Sequence, residues 1–198
     1  MILSILIPTT IDRRELFYKL ETYLKIQKAA LPDEFVNSVE IISHEDNKEI
    51  SVGKKRQNLL LESKGDYVVY IDSDDFVHPA YLISILNATK ENPDCIGFKI
   101  ECDINGVKSI ASSSNKYLDW GENLDGFKFV RTIYHKTPIK RDLALKIGFK
   151  DMRFGEDYDF SKRLKQSGLL KKEVFIPLFL YRYIYKHTNP KERYGLKD

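Results

Sequence analysis

In the first half of the chain, short unbroken apolar runs alternate with stretches in which apolar residues recur every three or four positions. Leu3 to Ile7 is the first run; closed by Pro8-Thr9-Thr10, it reads as a strand. From about Asp12, the residues Leu16, Leu20 and Leu24 mark a helix face that packs on a sheet, leaving Arg13, Arg14, Lys19 and Lys25 more exposed. Val39 to Ser43 predicts a second strand that ends in the acidic loop His44-Glu45-Asp46-Asn47. Val52 to Ser63 predicts a helix stopped by Lys64-Gly65. Tyr67 to Ile71 is apolar throughout, as suits a central parallel strand covered on both faces. Pro79 suits the first turn of a helix carrying Tyr81, Leu82, Ile85 and Leu86, which ends at Asn92-Pro93.

This alternation predicts an α/β fold, a right-handed βαβ series with a mostly parallel central sheet flanked by helices. Ligands in such a sheet bind at the carboxyl ends of the strands. The second half is less regular. Ile96 to Ile104 and Val107 to Ala111 flank Asn105-Gly106, a strong hairpin signal. Helices are expected from about Lys140 to Ile147, closed by Gly148, and from about Glu156 to Gln166, with Phe175 to Tyr185 strand-like.

Composition narrows the class without naming a partner. A chain of 198 residues with 42% apolar content is long enough for one well-packed domain. Its formal charge of +3 is too mild to force a nucleic-acid reading. The apolar start is too short for a membrane span and lacks a basic leader, so the expectation is a cytoplasmic protein with no transmembrane segment. Cys95 and Cys102 fit neither a zinc pair nor a redox CxxC motif, and are expected to behave as small buried hydrophobes.

Three clusters carry chemistry. Asp72-Ser73-Asp74-Asp75 directly follows an apolar strand, where alternation lets Asp72 and Asp74 point the same way. Hard cations such as Mg²⁺ or Mn²⁺ take carboxylate and phosphate oxygens, and two close carboxylates favour a cation between them. Capping of the next helix is the alternative, but Pro79 puts that cap near His78, beyond these acids. Lys54-Lys55-Arg56 opposes the macrodipole in a first helical turn, which a bound anion explains and a solvated charge run explains equally. Phe154-Gly155-Glu156-Asp157-Tyr158-Asp159-Phe160 leads acids into a helix start. Such acids complement the dipole, and one facing the other acids across a cleft is also placed to remove a proton from a hydroxyl.

Over most of the chain, these residues resemble the family 2 glycosyltransferases of the GT-A fold, in a short single-domain form. Ser4-Ile5-Leu6-Ile7-Pro8-Thr9 resembles the family's first strand and nucleotide-contacting turn, which implies donor contacts for Pro8 and Thr9, with Arg13 close behind. Glu40-Ile41-Ile42 followed by Glu45-Asp46-Asn47 is similar to the second strand and its base-recognising acid, a role carried to Asp46. Gly53 to Asp75 is the most specific match. It implies that Arg56, with Lys55, contacts the diphosphate or sugar, and that Asp72-Ser73-Asp74 is the DxD motif of donor and metal, with Asp74 favoured as the direct metal ligand. Gln57, with Asn58 after it, stands where many relatives have asparagine after the arginine.

Pro138-Ile139-Lys140-Arg141 through Gly148-Phe149 and Gly155-Glu156-Asp157 resembles the acceptor-side helix and the Glu-Asp motif, implying Asp157 as catalytic base beside Glu156. His187 matches a late histidine that ligates the metal in many such enzymes. The resemblance thus implies a Rossmann-like GT-A domain over 1–198, with a nucleotide-sugar half (1–91), an acceptor half (92–185) containing the hairpin and an irregular subregion, and a polar tail (186–198). Within the acceptor half, Ser112 to Phe129, with Tyr117, Asp119 and Trp120, is the candidate sugar or acceptor wall. The implied activity is metal-dependent, inverting transfer from a nucleotide-diphosphate sugar, a UDP-sugar first, with Mn²⁺ or Mg²⁺, to a hydroxyl of a carbohydrate, glycolipid or other acceptor. A nucleic-acid acceptor and peripheral contact with the inner face of a membrane stay open, given the cations of the tail. Two alternatives stand beside this reading: a metal-dependent nucleotidyltransferase, and a non-catalytic nucleotide-sugar or carbohydrate-binding module.

Overall fold

The computed structural model describes residues 1–186. The first apolar run forms β1 (Leu3–Thr10), where Leu3, Ile5, Leu6 and Ile7 are fully buried because helices cover both faces. α1 (Arg14–Ala29) supplies part of that cover through Phe17, Leu20, Leu24 and Gln27. Leu16, expected on this face, is 46% exposed. Strict four-residue spacing drifts around a helix of 3.6 residues per turn, whereas the 17-20-24-27 spacing stays on one side.

β2 (Val39–Asp46) lies parallel to β1 in a register that runs to the pair Thr10 and Asp46, so the expected acidic loop is largely strand. α2 (Val52–Glu62) is capped by Ser51, whose Oγ accepts from the Lys54 N–H at 3.0 Å. Its far end does not use Gly65 as a cap. Ser63 is already extended there, and Gly65 instead lets the chain pass β1, where a Cβ would come 2.7 Å from the Ser4 nitrogen. β3 (Tyr67–Tyr70) pairs in parallel with the other edge of β1. The acidic turn then leads into β4 (Phe76–Val77) and α3 (Tyr81–Thr89).

β5 (Cys95–Ile104) and β6 (Val107–Ser113) form the expected hairpin, with Asn105 and Gly106 at φ 53° and 83° as a two-residue turn requires. The stretch Ser112 to Phe129, irregular by its apolar pattern, holds a second hairpin, β7 (Gly121–Leu124) and β8 (Phe127–Arg131), around Asp125-Gly126. β7 is largely exposed and shows no apolar alternation, whereas Phe127 and Phe129 of the short, half-buried β8 alternate with Lys128. β9 (Ile139–Lys140) takes Lys140 out of the following helix, α4 (Arg141–Ile147), which ends at Gly148 with φ 61°. α5 (Glu156–Gln166) and β10 (Glu173–Tyr185) complete the described chain, and β10 breaks register with β5 beside Pro177, which has no N–H to donate.

Among the described residues, ten strands form one sheet with the main path β2-β1-β3-β9-β5-β6-β8-β7, and β10 pairs with β5 and β4. β1, β2 and β3 are parallel; the short antiparallel β9 joins β3 to β5, so β5 and its parallel partner β10 run the same way. Side chains alternate between two apolar layers. Leu3, Ile5 and Ile7 pack with α1, α3 and Leu180 of β10, while Leu6, Val68 and Tyr70 pack with Leu59, Leu143 and Phe160 of α2, α4 and α5. Each fully buried Leu or Ile contributes about 1.5–3 kcal/mol. Cys95 and Cys102 are free and buried within this core. Among the described residues, no helix is long and apolar enough to cross a membrane.

Candidate active site

The carboxyl ends of β1 and β3 open into a cleft of about 480 Å³. β1 contributes Pro8 and Thr9, and Arg13 follows it; α2 contributes Lys55 and Arg56; Asp72, Ser73 and Asp74 come from the turn after β3; Glu156 and Asp157 come from the first turn of α5. Among the described residues, one expected site residue is not in this lining. Asp46 sits behind it, ion-paired with Lys55, and accepts the Ile50 N–H at 3.1 Å. His187 lies outside the described residues.

The basic run on α2 divides by side. Lys54 is exposed, whereas Lys55 and Arg56 are only 3% and 4% exposed, which removes the solvated-run alternative for those two. They can be buried because the helix start is pressed against the loop before α5: Gly53 donates to the Met152 carbonyl at 3.1 Å, and a Cβ on it would overlap the Lys150 carbonyl. Gln57 holds the same contact, its Oε1 accepting from the Phe149 N–H at 2.7 Å. Lys55 donates to the Thr9 carbonyl at 2.6 Å as well as to Asp46, tying the ends of β1 and β2 together. Burial would raise the Asp46 pKa, but the hydrogen bond from Lys55 holds it below the ordinary value.

Arg56 lies between two acids, with Nη2 3.0 Å from Asp72 and Nε 3.2 Å from Glu156. Burial opposes its charge, yet Asp72, Glu156 and Asp157 together keep its pKa above the usual value. Glu156 is buried, which raises its pKa against the pull of Arg56. The buried turn Tyr134–Thr137 supplies residues that no sequence motif marks. Lys136 Nζ is 2.8 Å from Asp72 Oδ2 and also pairs with Asp75, and His135 Nε2 is 3.6 Å from Asp72. Burial works to raise the Asp72 pKa, but Lys136 and Arg56 hold it well below the carboxylate norm. His135, desolvated and near Arg56, is pushed down to about 4 and is neutral at pH 7. The available signal was a lone lysine within the apolar and hydroxyl-rich stretch before Pro138.

Asp75 is fully enclosed, accepting from Tyr181 Oη at 2.7 Å and from the Ile184 N–H at 2.8 Å beside its Lys136 contact. Burial pushes its pKa up to about 6. It therefore serves the packing below the cleft. None of the three acids in Asp72-Ser73-Asp74-Asp75 caps α3: that helix has Ala80 at its N-cap, with His78 Nδ1 accepting the Ala80 N–H at 3.1 Å.

Asp74 differs from Asp72. Its carboxylate pairs with the half-exposed Arg13 at 3.0 Å, and burial, reinforced by Asp72, raises its pKa against that partner. Among the described residues, no three His, Cys, Asp or Glu side chains converge as a complete metal nest. A Mg²⁺ or Mn²⁺ ion bound mainly through phosphate and water oxygens needs only one or two carboxylates, and an under-compensated acid at the cleft wall fits that requirement. Asp74 meets it directly, with Asp72 adjacent but already holding two cations. Lys48 and Arg153 also line the cleft, and Arg153 bridges its mouth by donating to the Lys48 carbonyl at 3.2 Å.

A helix-flanked, mostly parallel sheet with a charged cleft at its carboxyl edge is the GT-A class of fold. The family model for glycosyl transferase family 2 matches residues 25–147, more than half of the chain, and the chain belongs to that family. No curated protein matches the sequence. Among solved structures, it is similar to Staphylococcus aureus TarS 1-349 in complex with UDP-GlcNAc, with 17% identity and a TM-score of 0.67 over 96% of this chain and 60% of that one. The complex of the same TarS fragment with UDP gives 17% identity and a TM-score of 0.68 over 98% and 63%. Identities this low speak to the fold, and the chain spans less than two thirds of either structure.

Proposed function

We propose that the chain transfers a sugar from a nucleotide-diphosphate sugar, a UDP-sugar, to an acceptor hydroxyl with inversion. The observation that carries this reading is the convergence of Lys55, Arg56, Asp74 and Asp157 on one cleft in a family 2 chain. The UDP and UDP-GlcNAc bound in the similar TarS structures support the choice of uridine donor.

In this reading, Asp157 takes the proton of the acceptor hydroxyl as its oxygen attacks the anomeric carbon, and the bond from that carbon to the diphosphate oxygen breaks on the opposite face. Glu156 is held by Arg56 and is a positioning neighbour. Arg56 and Lys55, fixed before substrate arrives, stabilise negative charge on the leaving diphosphate without reorganising. Asp46 holds Lys55 and the loop to Ile50 at the base-binding side, and Pro8, Thr9 and Ser73 form the floor. Asp74, with Asp72 beside it and His187 as a further candidate, would hold Mg²⁺ or Mn²⁺, which when bound neutralises phosphate charge.

Calorimetry against a panel of nucleotide sugars, with and without Mn²⁺ or Mg²⁺, tests the reading. One UDP-sugar is expected to bind in the presence of metal, and Asp74→Ala to weaken it on the order of tenfold or more. Binding of no nucleotide sugar under any condition overturns the proposal. Product analysis separates the alternatives: sugar transfer releases a nucleoside diphosphate, nucleotidyl transfer releases pyrophosphate, and a binding module releases neither.

A further inference from the structure

We propose that Lys136 is a positioning residue for the donor site, a built-in cation that aims Asp72 into the cleft and fastens the last described strand beside it. The inference rests on the reading of the cleft as the donor site. Lys136 itself does not line the cleft and is 4% exposed, so any effect on the donor passes through its neighbours.

The turn that carries Lys136 is rigid for local reasons. Thr137 Oγ1 both accepts the Tyr134 N–H at 3.2 Å and donates to the Tyr134 carbonyl at 2.8 Å, while the Thr137 N–H donates to that same carbonyl at 3.1 Å. The turn is also fixed to the sheet, because the His135 carbonyl accepts the N–H of Tyr70, the last residue of β3. From this base, the ammonium reaches Asp72, Asp75 and the faces of Tyr181 and Tyr183, whose ring centroids lie 4.9 and 4.5 Å away. A lysine ammonium suits this place because it is a compact charge with three donors, shared here between two carboxylates and two aromatic faces. Burying it is costly, and the two acids offset that cost.

Lys136 thereby joins the two sides of the site. Asp72 lines the cleft directly; Asp75, below it, accepts the Ile184 N–H, and Tyr183 and Ile184 line the cleft from β10. Two like charges, Asp72 and Asp75, are also kept in one small volume by the cation between them. Without Lys136, Asp72 retains Arg56 and the 3.6 Å approach of His135 to Oδ2 but loses the closest cation on Oδ2, and the acidic turn is no longer tied to β10 through a shared charge. A shift of Asp72 at a diphosphate site weakens donor binding without removing a donor contact.

The test compares wild type, Lys136→Met, and the double variant Lys136→Met with Asp75→Asn, which removes both members of the lower buried pair and protects folding. Circular dichroism first selects the variants that are folded. Calorimetry with UDP and Mn²⁺ is then expected to show a Kd on the order of tenfold weaker in the double variant. Amide exchange at Asp72, measured without ligand in Lys136→Met and in the double variant, is expected to speed by a similar factor while exchange in β1 stays unchanged. A folded double variant with UDP affinity within about twofold of wild type and unchanged exchange overturns the positioning role and leaves Lys136 as a simple partner of Asp75. If wild type itself binds no nucleotide, the donor reading fails on its own, and the exchange rates still decide whether Lys136 holds the acidic turn.

Discussion

In one part of the cleft, where Glu156 of α5 meets α2 and the turn after β3, Lys55, Arg56, Asp72 and Glu156 stand in buried or half-buried ion pairs; around the outer start of α5, Phe154 is 59% exposed and Tyr158 37% exposed next to Asp157. The first group is built from charges taken out of water, which is stable only with every partner in place. The second is built from aromatic edges and surface hydrogen bonds: Tyr158 Oη donates to Asp119 at 3.2 Å, and its ring packs edge-on to Trp120. Trp120 in turn bonds Ser161 and carries the Arg131 guanidinium over its face, while Tyr117 is buried. The contrast teaches where each kind of recognition belongs. Under the proposed function, a diphosphate, with one shape and a fixed charge, suits a preorganised charged wall, while a side that admits a hydroxyl and releases a product has to stay open.

Breaking the comparison at its chemical centre gives the largest effect. Asp157→Asn is expected to lower the rate of sugar transfer by about 10²- to 10⁴-fold while UDP affinity stays near that of wild type. Rates from nucleoside-diphosphate release and affinities from calorimetry check this, and wild-type turnover in the variant would place the base elsewhere.

Next in size is the buried wall itself. Arg56→Met leaves Asp72 and Glu156 short of a cation, and a stability loss of about 3–5 kcal/mol is expected from urea unfolding. A loss below about 1 kcal/mol would make this wall energetically no different from a surface network. The exposed wall supplies the contrasting value. Tyr158→Phe removes one partly exposed hydrogen bond to Asp119, so about 0.5–1 kcal/mol is expected in the same assay, with donor affinity unchanged and acceptor KM raised.

The smallest effect belongs to a carboxylate remote from both walls. Asp94 accepts the N–H groups of Lys171 and Lys172 at 2.8 and 2.9 Å; burial raises its pKa, but these bonds and Lys140 carry it below the usual 3.8. A depressed folded pKa means that the stabilisation is complete above the unfolded value and is lost as pH falls through the folded one. Asp94→Asn should therefore flatten the loss of stability below about pH 4 without changing UDP binding. An unchanged acid limb would show that Asp94 contributes nothing in that range.

Much of this architecture was legible in the sequence, because a strand or helix covered by a core repeats its apolar residues at the period of its own backbone. α3 follows that rule with Tyr81, Leu82, Ile85 and Leu86, β3, covered on both faces, is instead apolar throughout and β1 nearly so, and the acids of Asp72-Ser73-Asp74-Asp75 fall where an apolar strand ends. The hairpin at Asp125-Gly126 escaped it because the exposed β7 needs no apolar face and β8 is only five residues long, and Leu16 was misplaced because spacing alone does not say which of two adjacent stripes meets the sheet.

What the sequence by itself determined is therefore the order of the main helices and strands, the family and the identity of the acidic and basic clusters, since each depends on neighbours within a few residues. Only the tertiary structure decided how those charges are shared. Lys136 and Asp75 are separated by 61 positions, and Ser51 and Asp151 by 100. Whether a lysine is solvated or buried between two carboxylates depends on which distant backbone packs beside it, and that is a property of the folded sheet with no local pattern to announce it.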